Sequence, residues 1–121
     1  MKNSKRLSLV GLSIVMTLAL SFNLSAQILP TKLTVTVIDG LGNFVEGAEV
    51  KIYKIEADYR GNTNPLFSAV SNKKGRAKFK EVQSVIYFIE VTKDEMNNNG
   101  EGVQTGPLAA KKTNKVNIVI E

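Results

Sequence analysis

The sequence offers few of the side chains that enzymes use for chemistry. It contains no histidine and no cysteine, which removes the commonest general base, the thiol nucleophile and the usual ligands of transition metals. Carboxylates and hydroxyls remain, but no motif arranges them as a catalytic pair. We therefore predict that the protein is not an enzyme, with no catalytic residues, no cofactor and no metal site.

One loop carries oxygen ligands that calcium would accept. Asp94, Glu95 and Glu101 lie beside the asparagines Asn97, Asn98 and Asn99. Their spacing does not follow the Asp-x-Asp-x-Asp-Gly pattern of calcium-binding loops. A solvated polar loop is the preferred interpretation, and the sequence leaves open whether Asp94 to Glu101 binds calcium.

A stripe of basic residues is the clearest candidate for recognition of a charged partner. Arg76, Lys78 and Lys80 follow the basic pair Lys73 and Lys74. Strand alternation places Arg76, Lys78 and Lys80 on one face. Such a face suits an anionic glycan, a lipid head group or an acidic protein. The alternative is a soluble face that discourages edge-to-edge pairing.

Aromatic and apolar residues supply two further candidate contacts. Tyr53, Tyr59 and Phe44 are the aromatic residues that could contact a glycan, although the chain has no tryptophan. Ile86 and Phe88 lie on the second face of the most apolar strand and need cover. Either the loop Glu56 to Asn64 or a protein partner would provide that cover.

The first residues have the pattern of a secretory signal peptide. Lys2, Lys5 and Arg6 precede an apolar run from Leu7 to Leu20, and the small residue Ala26 marks the expected cleavage point. We predict that Met1 to Ala26 is removed on export. The protein is then periplasmic or secreted, with no stable membrane span.

Removal of the signal peptide changes what the composition implies. Residues 27–121, about 95 in number, are enough for one domain. The net charge of +5 falls to about +2, so nucleic acid is not an expected partner. Without cysteine there is neither a lipoprotein anchor nor a disulfide, and stability must come from a packed core.

Alternation of apolar and polar residues predicts an all-β fold. Seven segments alternate with period two or are β-branched, and turn signals separate them. We expect the first two strands to pair, a hairpin turn at Asn72 to Gly75, a central strand at Val85 to Val91 and no helix. The fold class is a seven-stranded antiparallel β-sandwich, immunoglobulin-like or prealbumin-like. The predicted strands are 32–38, 48–55, 66–71, 76–80, 85–91, 103–108 and 114–120.

The segment Val35 to Val50, with its Asp-turn-Gly-Ala-x-Val pattern, resembles the opening of carboxypeptidase regulatory-like domains. Asn72 to Phe79 and Tyr87 to Val91 resemble the turn-Gly-x-Ala-x-Phe hairpin and the Tyr-x-Ile-x-Val strand of the same family. This resemblance spans residues 27–121. It implies a seven-stranded sandwich of the transthyretin type in a stand-alone exported form.

Two chemistries of related folds do not fit the residues. Collagen-adhesin B-type domains join a lysine to an asparagine with the help of an acid, but the equivalent positions for lysine and acid are Val37 and Val91. Asn117 alone cannot react. Hydroxyisourate hydrolases use histidines, which the chain lacks.

These observations predict an exported, non-enzymatic binding or structural module in the bacterial envelope or outside the cell. It would act through protein contacts or self-association. The alternative is a carbohydrate-binding module that uses the loops at one end of the sandwich.

Overall fold

The structure is a computed structural model, and it describes residues 29–121. The predicted signal peptide, Met1 to Ala26, lies outside the described residues. The elements, in chain order, are β1 Lys32–Asp39, β2 Glu49–Tyr53, α1 Glu56–Gly61, β3 Phe67–Val70, β4 Arg76–Phe79, β5 Phe88–Lys93, β6 Met96–Asn97 and β7 Thr113–Ile120.

The strands form two facing sheets, which confirms the β-sandwich. The three-stranded sheet has the order β4-β1-β7, and the four-stranded sheet has the order β3-β2-β5-β6. The core lies between them and is filled by alternate residues of the long strands, as the sequence predicted. Its fully buried aliphatic side chains are Leu33, Val35, Val37, Val50, Ile52, Ile89, Val91, Ile118 and Ile120.

The prediction of a purely antiparallel sandwich is wrong at one pair of strands. β1 pairs antiparallel with β4, but it pairs parallel with β7 along its whole length, from Lys32 opposite Thr113 to Asp39 opposite Ile120. The first and last strands of the described domain therefore run in the same direction. The side-chain alternation of an isolated strand is the same in both arrangements, so the pattern carried no signal for this pairing.

The expected pairing of the first two strands is also wrong, because β2 belongs to the other sheet. Asp39 begins the crossing: its carboxylate accepts the backbone N–H groups of Leu41 and Asn43 at 3.0 and 2.9 Å. Ser71 then fixes the start of β2. Its buried hydroxyl accepts the N–H of Ala48 and donates to the carbonyl of Val45.

The predicted turn at Asn72 to Gly75 forms, with Gly75 at a φ of 74° as expected. It is not a hairpin between paired strands, because β3 lies in the four-stranded sheet and β4 in the three-stranded sheet. Gly75 is held against β1, where its carbonyl accepts the N–H of Val37 at 2.7 Å.

A helix replaces part of the predicted loop. α1 was missed because its six residues bury no side chain completely and show no apolar stripe. The ion pair Glu56–Arg60, at 2.6 Å and a spacing of four residues, was the available signal. Asn62 ends the helix in the left-handed conformation, with a φ of 51°.

The segment near Val103 to Leu108, which was predicted as a weak strand, runs alongside β5 but does not form a regular strand. Val103 accepts the N–H of Ile89, and Thr105 donates its N–H to Tyr87. Asn98 bonds to the same edge through its side chain, accepting from Val91 at 2.9 Å and donating to Ile89 at 3.0 Å. The sandwich still has seven strands, because the short β6, which was not predicted, takes the place of the strand predicted at 103–108.

Gly75 provides a test of this packing. An added Cβ would lie 2.6 Å from the carbonyl oxygen of Val37, so Gly75→Ala combines a steric clash with a strained backbone. We expect a loss of about 2–4 kcal/mol in the free energy of unfolding, measured with urea.

The control is Gly42→Ala. Gly42 also has a positive φ, 88°, but no atom lies within 4 Å of an added Cβ. Its loss should be only about 1–2 kcal/mol. Equal losses for the two variants would contradict the close approach of Gly75 to β1.

Candidate functional site

The outer face of the three-stranded sheet brings together basic side chains from all three strands. Thr34 of β1 lies between Lys78 of β4 and Lys115 of β7, and Thr36 lies between Arg76 and Asn117. Together with Phe44 these residues line a surface groove. Lys32 and Lys80 extend the same face beside Thr34 and Lys78. We call Lys32, Arg76, Lys78, Lys80 and Lys115 the cationic face.

The spacing of the cationic face follows from strand geometry. Side chains two residues apart on a strand are about 7 Å apart, and neighbouring strands are separated by about 4.8 Å. Each cation therefore lies within about one Debye length of the next at physiological salt. All five are exposed, so water and counter-ions reduce their mutual repulsion.

No acidic side chain occupies an outward position on β1, β4 or β7. In the described part of the chain, the ion pairs are Lys51–Glu49, at 3.2 Å, and Glu56–Arg60. Both lie on β2 or α1, away from the cationic face. The small net charge of the domain therefore conceals an uneven distribution, with uncompensated positive charge on one sheet.

The structure brings Arg76, Lys78 and Lys80 to one face, where the sequence placed them. Lys32 and Lys115 were missed as members of the same face. Both alternate with core residues on their own strands, but only the sheet order shows that β1 lies beside β4 and that β7 lies on the other side of β1. The strand pairing therefore adds Lys32 and Lys115 to the predicted basic stripe, and the resulting patch extends across three strands.

An apolar residue borders the cationic face. Phe44 follows the turn after β1, forms an isolated bridge with Ile38 and has 63% of its surface exposed. Exposed aromatic rings beside charged groups are typical of protein contact surfaces.

Two of the other predicted contacts, Tyr53 and Phe88, lie on the outer face of the four-stranded sheet, where Tyr59 of α1 covers them. The ring of Tyr59 stacks on Phe88 with a centroid distance of 6.3 Å and meets Tyr53 edge-on at 5.9 Å. Phe88 is consequently half-buried, whereas Ile86, which precedes β5, is 38% exposed. Of the two covers expected for Phe88, the structure shows the chain's own segment.

This packing corrects the expectation for Tyr53 as a glycan contact. Its side chain points outward from β2, as strand alternation predicted, yet it has no exposed surface. Tyr59 lies over it. An open pair of tyrosine rings is therefore not available to a sugar in this arrangement.

Burial also changes the ionisation of these rings. Removal from water raises the pKa of Tyr53, and the negative charge of Glu90 raises it further. The same two causes, in the same order, raise the pKa of Tyr59. Among residues 29–121, the Tyr53 hydroxyl makes no well-formed hydrogen bond, and a weak interaction with the Glu90 side chain adds to the rise in its pKa.

The polar loop after β5 is organised by its own backbone. The side chain of Asn98 forms hydrogen bonds with the backbone of β5. The side chain of Asn97 accepts the N–H of Asn99 at 3.0 Å. Within the described ranges, no three acidic, histidine or cysteine side chains are grouped to hold a metal ion. None of the helices in those ranges is long and apolar enough to cross a membrane.

Comparisons with known proteins show little. No protein-family model matches the chain, and no curated protein matches it. Among solved structures, it is similar to BcpA, the major pilin subunit of Bacillus cereus, with a TM-score of 0.47 and 20% identity. The match covers 77% of this chain, which spans 30% of the pilin chain. A similarity this low carries no information about function.

The buried hydroxyl of Tyr53 predicts an unusual response to mutation. Tyr53→Phe removes a buried donor that makes no well-formed hydrogen bond, so we expect the free energy of unfolding to rise by up to about 1 kcal/mol. Tyr87→Phe is the matched control. The Tyr87 hydroxyl accepts the N–H of Gln83 at 2.8 Å, and its removal should cost about 1 kcal/mol.

Urea unfolding at several pH values measures both effects. Because the pKa of Tyr53 is higher in the folded state, its contribution is complete below the ordinary value of 10.0. That contribution is lost as the pH rises through the higher folded-state value. Tyr53→Phe should therefore weaken the alkaline loss of stability. Changes of the same sign in the two variants would contradict this account.

Proposed function

We propose that the protein is an exported, non-enzymatic binding module of the carboxypeptidase regulatory-like type. Its cationic face contacts an acidic surface on a partner protein. One observation carries the proposal: basic residues from three strands converge on one face without an acidic neighbour on that face. The pattern of the first 26 residues supports export, and the two-sheet architecture supports the fold that the family resemblance implies.

The electrostatics favour a large partner over a small ion. The basic groups are spread over three strands, and all of them are exposed to water, so each one alone attracts an anion weakly. An extended acidic surface can meet several of them at once. Complementary potentials of this kind accelerate association and select the partner.

The chemistry around the cationic face favours a protein over a glycan. Thr34, Thr36 and Asn117 supply short polar groups between the cations, and Phe44 supplies an exposed apolar ring at the border. Aromatic residues and arginine are enriched in protein interfaces, and this surface offers both Phe44 and Arg76. The carbohydrate alternative relied on Tyr53, Tyr59 and Phe44; Tyr53 has no exposed surface and Tyr59 is half-buried, so Phe44 alone is open.

Site-specific crosslinking tests the proposal. A photoreactive residue at Thr34, in the centre of the cationic face, should form a protein adduct in envelope extract of the source organism. A photoreactive residue at the exposed Ser68, on the opposite sheet, should not. Mass spectrometry identifies the adduct and shows whether its contact surface is acidic.

Charge variants make the test specific. Arg76→Glu with Lys78→Glu should abolish the adduct, and about 0.5 M salt should weaken it strongly because the charges are exposed. Lys54→Glu with Arg60→Glu makes the same change in net charge elsewhere and should have little effect. Equal adducts from both positions, or glycan-array binding that requires Tyr59, would overturn the proposal.

A further inference from the structure

β7 is the free edge of the three-stranded sheet. Its eight residues pair with β1 on one side. In a parallel ladder, alternate residues of a strand bond to the neighbour, and the intervening residues direct their N–H and C=O groups away. Lys32 donates its N–H to the carbonyl of Lys112 at 3.0 Å, so the even-numbered residues of β7 bond to β1.

The end of the chain confirms this assignment. Glu121, in the odd-numbered set, exchanges two backbone hydrogen bonds with Asn97, each 3.1 Å long. The outward edge is thus already used for strand pairing at its last position. Before Glu121, no described residue bonds to the outward backbone groups of Thr113, Lys115, Asn117 and Val119.

The other strand edges are shorter or covered. β3 and β4, at the opposite edges of the two sheets, have four residues each. The edge of β5 is occupied by β6, by the side chain of Asn98 and by the segment around Val103. The edge of β7 is longer than these. All four of its outward-bonding residues are exposed, and Val119 shows 39% of its surface.

We infer that an extended segment of the partner adds to β7 as a fourth strand of the sheet. This inference rests on the proposed function, because it gives the form in which the acidic partner meets the cationic face. Backbone pairing would supply affinity, and alternate side chains would supply specificity. Outward side chains of the added strand would lie beside Lys115 and favour glutamate or aspartate.

Inward side chains of that strand would meet a different surface. They would lie beside Val116, which is half-buried at the margin of the core. Ile118, further along β7, is already buried, and Gly102 lies against it. Apolar residues fit beside Val116, because they would complete the cover of the core at this edge. The partner segment is therefore one in which acidic and apolar residues alternate.

Charge disfavours a second copy of this chain at the same edge. Two β7 strands paired edge to edge would join two cationic faces in one sheet, and a pairing centred on Lys115 would bring two Lys115 side chains together. Like charges at neighbouring cross-strand positions are destabilising, and an edge lysine is a known guard against such pairing. The same lysine attracts an acidic strand.

A defined peptide tests the inference. The probe is an end-blocked peptide of alternating glutamate and valine, matched to the eight residues of β7. It should bind the full protein in a fluorescence polarisation assay and shift the NMR amide signals of Lys115, Asn117 and Val119. A lysine–valine peptide of equal length should not bind. N-methylation of alternate amides should weaken the glutamate–valine peptide by at least about tenfold, because it removes the backbone donors.

A variant of the edge provides the second arm. Asn117→Pro removes one outward N–H without touching the ladder to β1, and it should weaken peptide binding by at least about tenfold. Asn117→Ala, which keeps the backbone N–H, should weaken binding much less than Asn117→Pro. The N-methylated peptide, used with unaltered protein, keeps the test valid if the proline variant is unstable.

The outcomes separate the two proposals. If the peptide fails to bind, or if N-methylation has no effect, strand addition is overturned. The proposed function still stands in that case if the Thr34 adduct forms and depends on Arg76 and Lys78. If the peptide binds through β7 but Arg76→Glu with Lys78→Glu leaves the adduct unchanged, the cationic face is not the contact surface.

Discussion

The parallel ladder between β1 and β7 is the constraint on which the rest of the structure depends. It runs from Lys32 opposite Thr113 to Asp39 opposite Ile120, and with the antiparallel β4 it makes β1 the centre of its sheet. The inward residues of β1 join the core, so the outward residues of all three strands must share one solvent face. The same ladder leaves β7 at an edge, with half of its backbone groups directed away from the sheet.

The buried core stabilises the domain by more than the repulsion between the charges of the cationic face destabilises it. Each buried valine, leucine or isoleucine contributes about 1.5–3 kcal/mol of hydrophobic stabilisation, whereas repulsion between exposed charges in water is weak. The described domain can therefore place five cations on one sheet without disulfides. The outer face of the opposite sheet is different, because α1 covers Tyr53 and Phe88 there. The charges of Lys51 and Glu49 on β2 are paired with each other. One outer face is closed by the chain itself, and the other is open to solvent.

Much of the local structure could be predicted from the sequence, because local rules determine it. Alternation identified the buried residues of β1, β2 and β7, and Gly75 was identified as a turn residue. The direction of β7 was not predictable, since a strand has the same side-chain pattern in parallel and antiparallel pairs. Lys115 was missed because only the sheet order places β7 in the same sheet as the basic residues of β4. Tyr53 was correctly placed outward, but its burial depends on Tyr59 of a helix too short to show a period.

The most direct measurement of the central claim is residue-resolved amide hydrogen exchange along β7. If β7 bonds to β1 in parallel and its other edge is open, the amides of Asn114, Val116 and Ile118 should exchange slowly. Those of Lys115, Asn117 and Val119 should exchange about a hundredfold faster or more, because they face solvent. Equal protection of the two sets would contradict an open edge and the strand addition inferred from it.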